Sequence, residues 1–147
     1  MTSSDWWLSA LALVAAVALL IEGVRQLRRR WVLVKIEGAS MEPELRDGDE
    51  VLAKRTRSIE TGQVVVAAAP DPVLGWAEPA KSRLGEPGGA WWVKRVAAGP
   101  GEPMPGSGEP VPEGHYFLLG DNPAGDDSRR HGPCPAAAVA GVVIRKF

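Results

Sequence analysis

The longest apolar run in the chain lies near its start. From Trp6 to Ile21 no residue is charged, and no polar face recurs at helical spacing. At 1.5 Å per residue this run reaches about 24 Å, and continuing through Glu22, Gly23 and Val24 closes most of the gap to the roughly 30 Å hydrocarbon core of a bilayer. Trp6 and Trp7 stand where indole rings favour the interface. A cleavable leader would carry basic residues ahead of the run, where only Asp5 is charged. A buried core helix is the alternative, and the length of the run and the absence of any polar face favour a span over it. The pattern therefore predicts an anchor over residues 1–30 with one membrane span at about 6–24. The β domain it carries spans 31–147.

Beyond Arg30 the pattern shortens and turns β-like. Trp31 to Glu37 reads as a strand from its β-branched and aromatic content, and Arg46-Asp47-Gly48-Asp49 as a turn. Strands are predicted at Glu50–Lys54 and at Gln63–Ala68, the latter apolar on both faces and so buried. Residues 70–90 read as loop, rich in Pro and Gly. Ala90–Ala97 is a strand with Lys94 in its middle, and Gly99–Gly114, with five prolines, is an exposed loop. His115–Leu119 is a strand that delivers Gly120-Asp121-Asn122. The last strand, Val139–Ile144, contains Gly141, the mark of a bulge. Many short strands between turns predict a mainly β fold, an all-β sheet or partly closed barrel behind one N-terminal helix.

Composition sharpens this picture modestly. With the anchor set aside, about 115 residues remain, enough for one core. The net charge of −1 gives no global field towards nucleic acid, so none is expected as a partner. The single cysteine, Cys134, excludes an internal disulfide and says nothing of redox compartment. Charge does speak at the span: lysine and arginine are absent before it, and Arg25, Arg28, Arg29 and Arg30 follow. The positive-inside rule then puts the β domain in the cytoplasm.

Candidate chemistry centres on Gly38-Ala39-Ser40-Met41-Glu42-Pro43, where a lone serine lies between a strand and a proline turn. A serine hydroxyl needs a neighbour to take its proton. His115 lies in an apolar strand, where a structural ring is the simpler account. His131 follows Ser128-Arg129-Arg130 in a charged loop, where a solvated ring is. Lysine is the other possible base once its ordinary pKa near 10.4 is brought down by about three units, as burial among apolar groups does. Lys94 shares a strand face with Trp92 and Val96, while Val93 and Arg95 point the other way. On that segment alone, a lysine whose stem packs on tryptophan while its head reaches water is the simpler reading.

The order of short motifs adds a resemblance. Ser40-Met41-Glu42-Pro43, Gly48-Asp49-Glu50-Val51, Lys94-Arg95-Val96 with Pro100-Gly101-Glu102, Gly114-His115-Tyr116-Phe117 through Gly120-Asp121-Asn122, and Asp127-Ser128-Arg129 with Gly132 occur in sequence. Together with the upstream span they resemble the signal peptidase I family, membrane-anchored serine endopeptidases with a Ser/Lys dyad on a β fold. The resemblance implies Ser40 as nucleophile, Lys94 as general base, a protein precursor as substrate, a lipid membrane as second partner, and no metal or organic cofactor. It implies that the Ser40 N–H faces the oxyanion, that Met41 lines the substrate groove, and that Asp127 and Arg129 brace the site as an ion pair together with Arg95. Asp121 and Asn122 become turn-formers beside the dyad. Ser128 is the hydroxyl nearest to hand in the last motif.

Two positions depart from the family. Many members carry Ser or Thr two residues before the nucleophile as an oxyanion donor; here Gly38 stands there, leaving the role to backbone or water. The family usually has a serine between GDN and DSR that steadies the lysine. This chain has Pro123-Ala124-Gly125-Asp126, one residue shorter and without a hydroxyl, and Asp126 is a charge able to hold Lys94 protonated. The short length and GDNP…DSR…GP, ending in Gly132-Pro133, resemble most the subgroup that matures nickel-type superoxide dismutase by trimming its N-terminus in the cytoplasm. General signal-peptide cleavage is the alternative, with the domain across the membrane. A catalytically impaired, membrane-tethered β binding module is the other. Self-cleaving regulators share the dyad but carry a DNA-binding module, which is not seen here.

Overall fold

The computed structural model describes residues 5–77 and 90–147; most of the loop expected at 70–90 lies outside them. Two compact units result, Met1–Trp31 and Val32–Phe147. The first is helix α1, Trp6–Arg30, 25 residues long, with none of its side chains buried. Its length, about 38 Å at 1.5 Å per residue, and its apolar character suffice to cross a membrane. Arg28, Arg29 and Arg30 in its last turn complement the helix dipole.

The second unit is built on seven strands: β1 (Trp31–Lys35), β2 (Glu50–Lys54), β3 (Val64–Ala68), β4 (Trp91–Ala98), β5 (His115–Leu119), β6 (Cys134–Pro135) and β7 (Val139–Lys146). They form one curled antiparallel half-barrel in the order β1-β2-β7-β3-β4-β5-β6. Six of the seven strands lie where the apolar patterning predicts them, within two residues at either end. β6 and the helical turn α2 (Ser128–His131), which the charged-loop reading of Arg129–His131 missed, are two and four residues long. Such lengths are too short to leave a period in sequence. A signal for α2 does exist: the Asp127 side chain accepts from the Arg129 N–H as an N-cap.

Alternation along the strands creates two apolar faces. Val65, Ala67, Val96, Leu118, Cys134 and Val142 form one buried cluster. Ile36, Met41, Leu45 and Val51 form another, packed against Val64, Val93 and Val143 from the opposite side of β3 and β4. The Gly99–Gly114 loop is not wholly exposed as expected. Pro103 bridges Pro110, and Val111 is buried with Ala98 and Phe117. Burial pushes the Cys134 thiol up to about 12.

β7 is irregular on both its edges. Against β3 the register passes from Val66↔Gly141 to Ala67↔Val139, skipping Ala140, so the predicted bulge is present. Against β2 it passes from Leu52↔Arg145 to Ala53↔Val143, skipping Ile144. Gly141 is required by close approach: a Cβ there would lie 2.6 Å from the Lys54 carbonyl oxygen. Gly141→Ala is therefore expected to lower stability by about 1–3 kcal/mol, read as a drop in the urea midpoint of the detergent-solubilised chain, with the far-ultraviolet circular dichroism retained.

Candidate active site

Ser40 lies in the turn that follows β1. Gly38 precedes it with φ +82°, a left-handed conformation that favours glycine over serine or threonine, and its N–H donates to Asp47 Oδ1 at 2.7 Å. That N–H is thus committed, which corrects its placement among oxyanion donors. No hydrogen bond ties the Ser40 N–H or Oγ to another described residue. Met41 is 1 % exposed and packs with Ile36, Leu45 and Val51. It is a core residue, not the groove residue expected from its place beside the serine.

The segment 120–129 closes over this turn. The Asn122 N–H donates to the Ser40 carbonyl at 3.0 Å, and Asn122 Nδ2 donates to the Ala39 carbonyl at 3.0 Å. A Cβ at Gly120 would stand 2.5 Å from the Ser40 carbonyl oxygen, and one at Gly125 3.0 Å from Ser40 Cβ. Glycine at 125 thus lets the loop lie against the serine, and any side chain there would require Ser40 to give way by a few tenths of an ångström.

Lys94 lies in the middle of β4. It pairs with Val65 of β3, and on its other side Arg95 pairs with Leu119 of β5. Carried one residue further, that register sets Lys94 across from Gly120, and directly opposed residues project to the same face. The Ser40 carbonyl that touches Gly120 therefore lies over the face from which Lys94 projects. No hydrogen bond or ion pair ties Lys94 Nζ to another described residue, Ser40 included. In sites without substrate, catalytic hydrogen bonds are often long and tighten on binding.

Lys94 is 3 % exposed. Burial holds its pKa below the ordinary 10.5, against the opposing pull of Asp127 and Asp126, with Arg129 assisting. Nζ sits 5.5 Å from the centroid of the Trp92 ring, a contact that opposes the effect of burial by favouring the ammonium by about 1–2 kcal/mol. The amine is thus buried without a counter-ion, the condition under which a lysine serves as a base.

The neighbouring charges are all engaged. Asp127, 1 % exposed, accepts from Arg129 Nε and Nη2 at 2.9 and 2.7 Å and from the Gly120 and Arg129 N–H groups at 3.0 Å. Burial pushes its carboxyl up, but these bonds together hold it below its ordinary value. Arg95 does not join that pair as expected: its Nε and Nη2 grip both oxygens of Asp121 at 2.9 and 2.8 Å, and its Nη1 donates to the Gly62 carbonyl. Asp121 is therefore an ion-pair partner rather than a plain turn-former. Ser128 Oγ accepts from the Leu118 N–H at 3.0 Å and braces β5 rather than the lysine. His115 Nδ1 lies 2.8 Å from the Glu113 carbonyl, a structural contact. Among the described residues no cluster of His, Cys, Asp and Glu has the makings of a metal site.

Compared with known proteins, the chain matches the family described as signal peptidase, peptidase S26, over residues 4–107 and 102–147, nearly its whole length. The chain belongs to the signal peptidase S26 family. No curated protein matches it. At the level of the family this is a signal-peptidase-like serine peptidase acting on protein substrates, with an N-terminal helix able to span a membrane.

The buried Asp127 ion pair yields a prediction about acid stability. Its folded carboxyl pKa is depressed, so its contribution is fully present above the unfolded value of 3.8 and is lost as pH falls through the folded value. Asp127→Ala is expected to cost about 2–3 kcal/mol at neutral pH by orphaning Arg129 and two N–H groups. In urea titrations the gap between wild type and variant narrows as the pH is taken below 3.8.

Proposed function

We propose that this S26 peptidase is a membrane-anchored endopeptidase that removes an N-terminal peptide from a precursor protein, with Ser40 as nucleophile and Lys94 as general base. The observation that supports the reading is Lys94, buried and without an ion-pair partner, on the strand whose register with β5 runs on towards Gly120, where the Ser40 carbonyl lies. Neutral Lys94 takes the Ser40 Oγ proton as the oxygen attacks the scissile carbonyl carbon. The Ser40 N–H donates to the developing oxyanion. The Lys94 ammonium then protonates the departing amine. Neutral Lys94 next takes a proton from the water that attacks the acyl-enzyme carbonyl and returns it to Ser40 Oγ as the ester bond breaks and the acyl group leaves as a carboxylic acid. Asp127–Arg129 and Arg95–Asp121 hold the loop and strand that carry these groups, and Asn122 fixes the Ser40 peptide.

For substrate we infer a nickel-type superoxide dismutase precursor, matured in the cytoplasm. Support comes from the GDNP…DSR…GP spacing and from the four arginines that follow the span and favour a cytoplasmic domain. General signal-peptide cleavage is the second reading, favoured by the family description itself.

Incubation of the purified chain with each class of precursor is expected to give cleavage that Ser40→Ala and Lys94→Met abolish, by at least about 10³-fold. Equal processing by all three proteins would overturn the dyad. Activity should rise with pH along a limb set by loss of the Lys94 proton, lying below the 10.5 of an ordinary lysine. Because the folded state disfavours that proton, it binds fewer protons than the unfolded chain between the two values, so stability rises with pH across that window. Lys94→Met should leave stability unchanged or raised. Reporters fused after Phe147 decide the facing: a cytoplasmic signal supports precursor maturation, and an extracytoplasmic one transfers the assignment to signal-peptide cleavage.

A further inference from the structure

Two carboxylates act on Lys94, those of Asp127 and Asp126, with Arg129 opposing them. Asp127 is fully engaged by Arg129 and two backbone N–H groups. Asp126 has no such backbone partners. Its two oxygens lie 3.0 and 2.9 Å from His131 Nε2, and Arg130 Nη1, 80 % exposed, is only a marginal neighbour at 4.0 Å. A carboxylate can only accept, so His131 Nε2 carries a proton and donates it to Asp126.

The His131 ring is itself held in place. Its side chain is 15 % exposed, and its centroid lies 5.5 Å from that of Trp92 with the planes at 65°. Trp92 presents its ring to Lys94 Nζ at 5.5 Å and is braced edge-on by Trp76, whose Nε1 donates to the Gly132 carbonyl directly after α2. A continuous contact path therefore runs from Lys94 through Trp92 and His131 to Asp126. Asp126 follows Gly125, the residue that lies against Ser40.

We propose that His131 is a positioning residue for Lys94: by holding the Asp126 carboxylate and packing on Trp92, it keeps Asp126 from becoming the counter-ion of the lysine. In this chain, where the loop between Asn122 and Asp127 offers no hydroxyl to the lysine, Lys94 stays available as a base because both nearby carboxylates are tied elsewhere. The inference rests on the reading of Lys94 as general base, but its physical content, control of the lysine's protonation, is measurable without substrate.

The chain has five lysines, so 13Cε-lysine labelling of the detergent-solubilised full-length protein resolves Lys94 by comparison with Lys94→Arg. His131→Ala frees Asp126 and is expected to raise the Lys94 titration midpoint by about one unit or more, the effect of an opposite charge within a few ångströms. Adding Asp126→Asn to His131→Ala should bring the midpoint back to or below that of wild type. His131→Gln, which keeps an N–H donor for Asp126, should titrate as wild type and guards against misfolding of the alanine variant. The pH limb of precursor cleavage should move with the midpoint in each variant. An unchanged midpoint in His131→Ala, or a raised one that Asp126→Asn fails to reverse, overturns the inference. Midpoints that shift as expected in a protein that cleaves no precursor would support the inference and remove the proposed function.

Discussion

The site depends on one backbone contact, the Ser40 carbonyl lying directly on the α-carbon of Gly120. Any side chain there would meet that oxygen at 2.5 Å, so the turn after β1 and the end of β5 approach only because residue 120 has none. Asn122 secures the approach with one hydrogen bond from its N–H and another from its amide. The ladder between β4 and β5 pairs Arg95 with Leu119, so its register, carried one residue on, sets Lys94 opposite Gly120. The turn after β1 and the segment after β5, distant in sequence, thus meet through backbone geometry.

Around that contact the protein separates charges rather than pairing them with the lysine. Asp121 is occupied by Arg95, Asp127 by Arg129 and Asp126 by His131. Asp127, Asp126 and Arg129 are the charges that act on Lys94, and its amine lies 5.5 Å from the Trp92 ring centroid. Burying an amine in this way opposes folding, and the satisfied network around it contains the cost.

Much of the fold was legible because strands of five to eight residues carry their own alternation. Val65 and Val96 on one face and Val64 and Val93 on the other reveal a two-sided sheet before any coordinates are known. Gly141 announced a bulge through its lack of a side chain. What stayed hidden was non-local or too short. No local feature indicates that Arg95 seeks Asp121 across 26 residues, or that β6 exists as two residues. Met41 was misread because adjacency to Ser40 suggested function, while its burial is decided by Ile36, Leu45 and Val51. At the site, Ser40 and Lys94 stand out as candidates through the order of the motifs, while the segment around Lys94 alone favours a lysine whose head reaches water. The arrangement of Asp126, His131 and Trp92 does not stand out, since it depends on a four-residue helical turn that periodicity does not detect.

The buried Cys134 has a practical consequence. A thiol buried in the core cluster beside β5 and held protonated to about pH 12 is a poor target for oxidants, disulfide exchange and alkylating reagents. The chain's only sulfhydryl is therefore chemically silent, and the β domain keeps the same covalent structure in a reducing or an oxidising compartment. Cysteines introduced one at a time along α1 or at the sheet edges can then be tagged individually, with the native chain as an unreactive background.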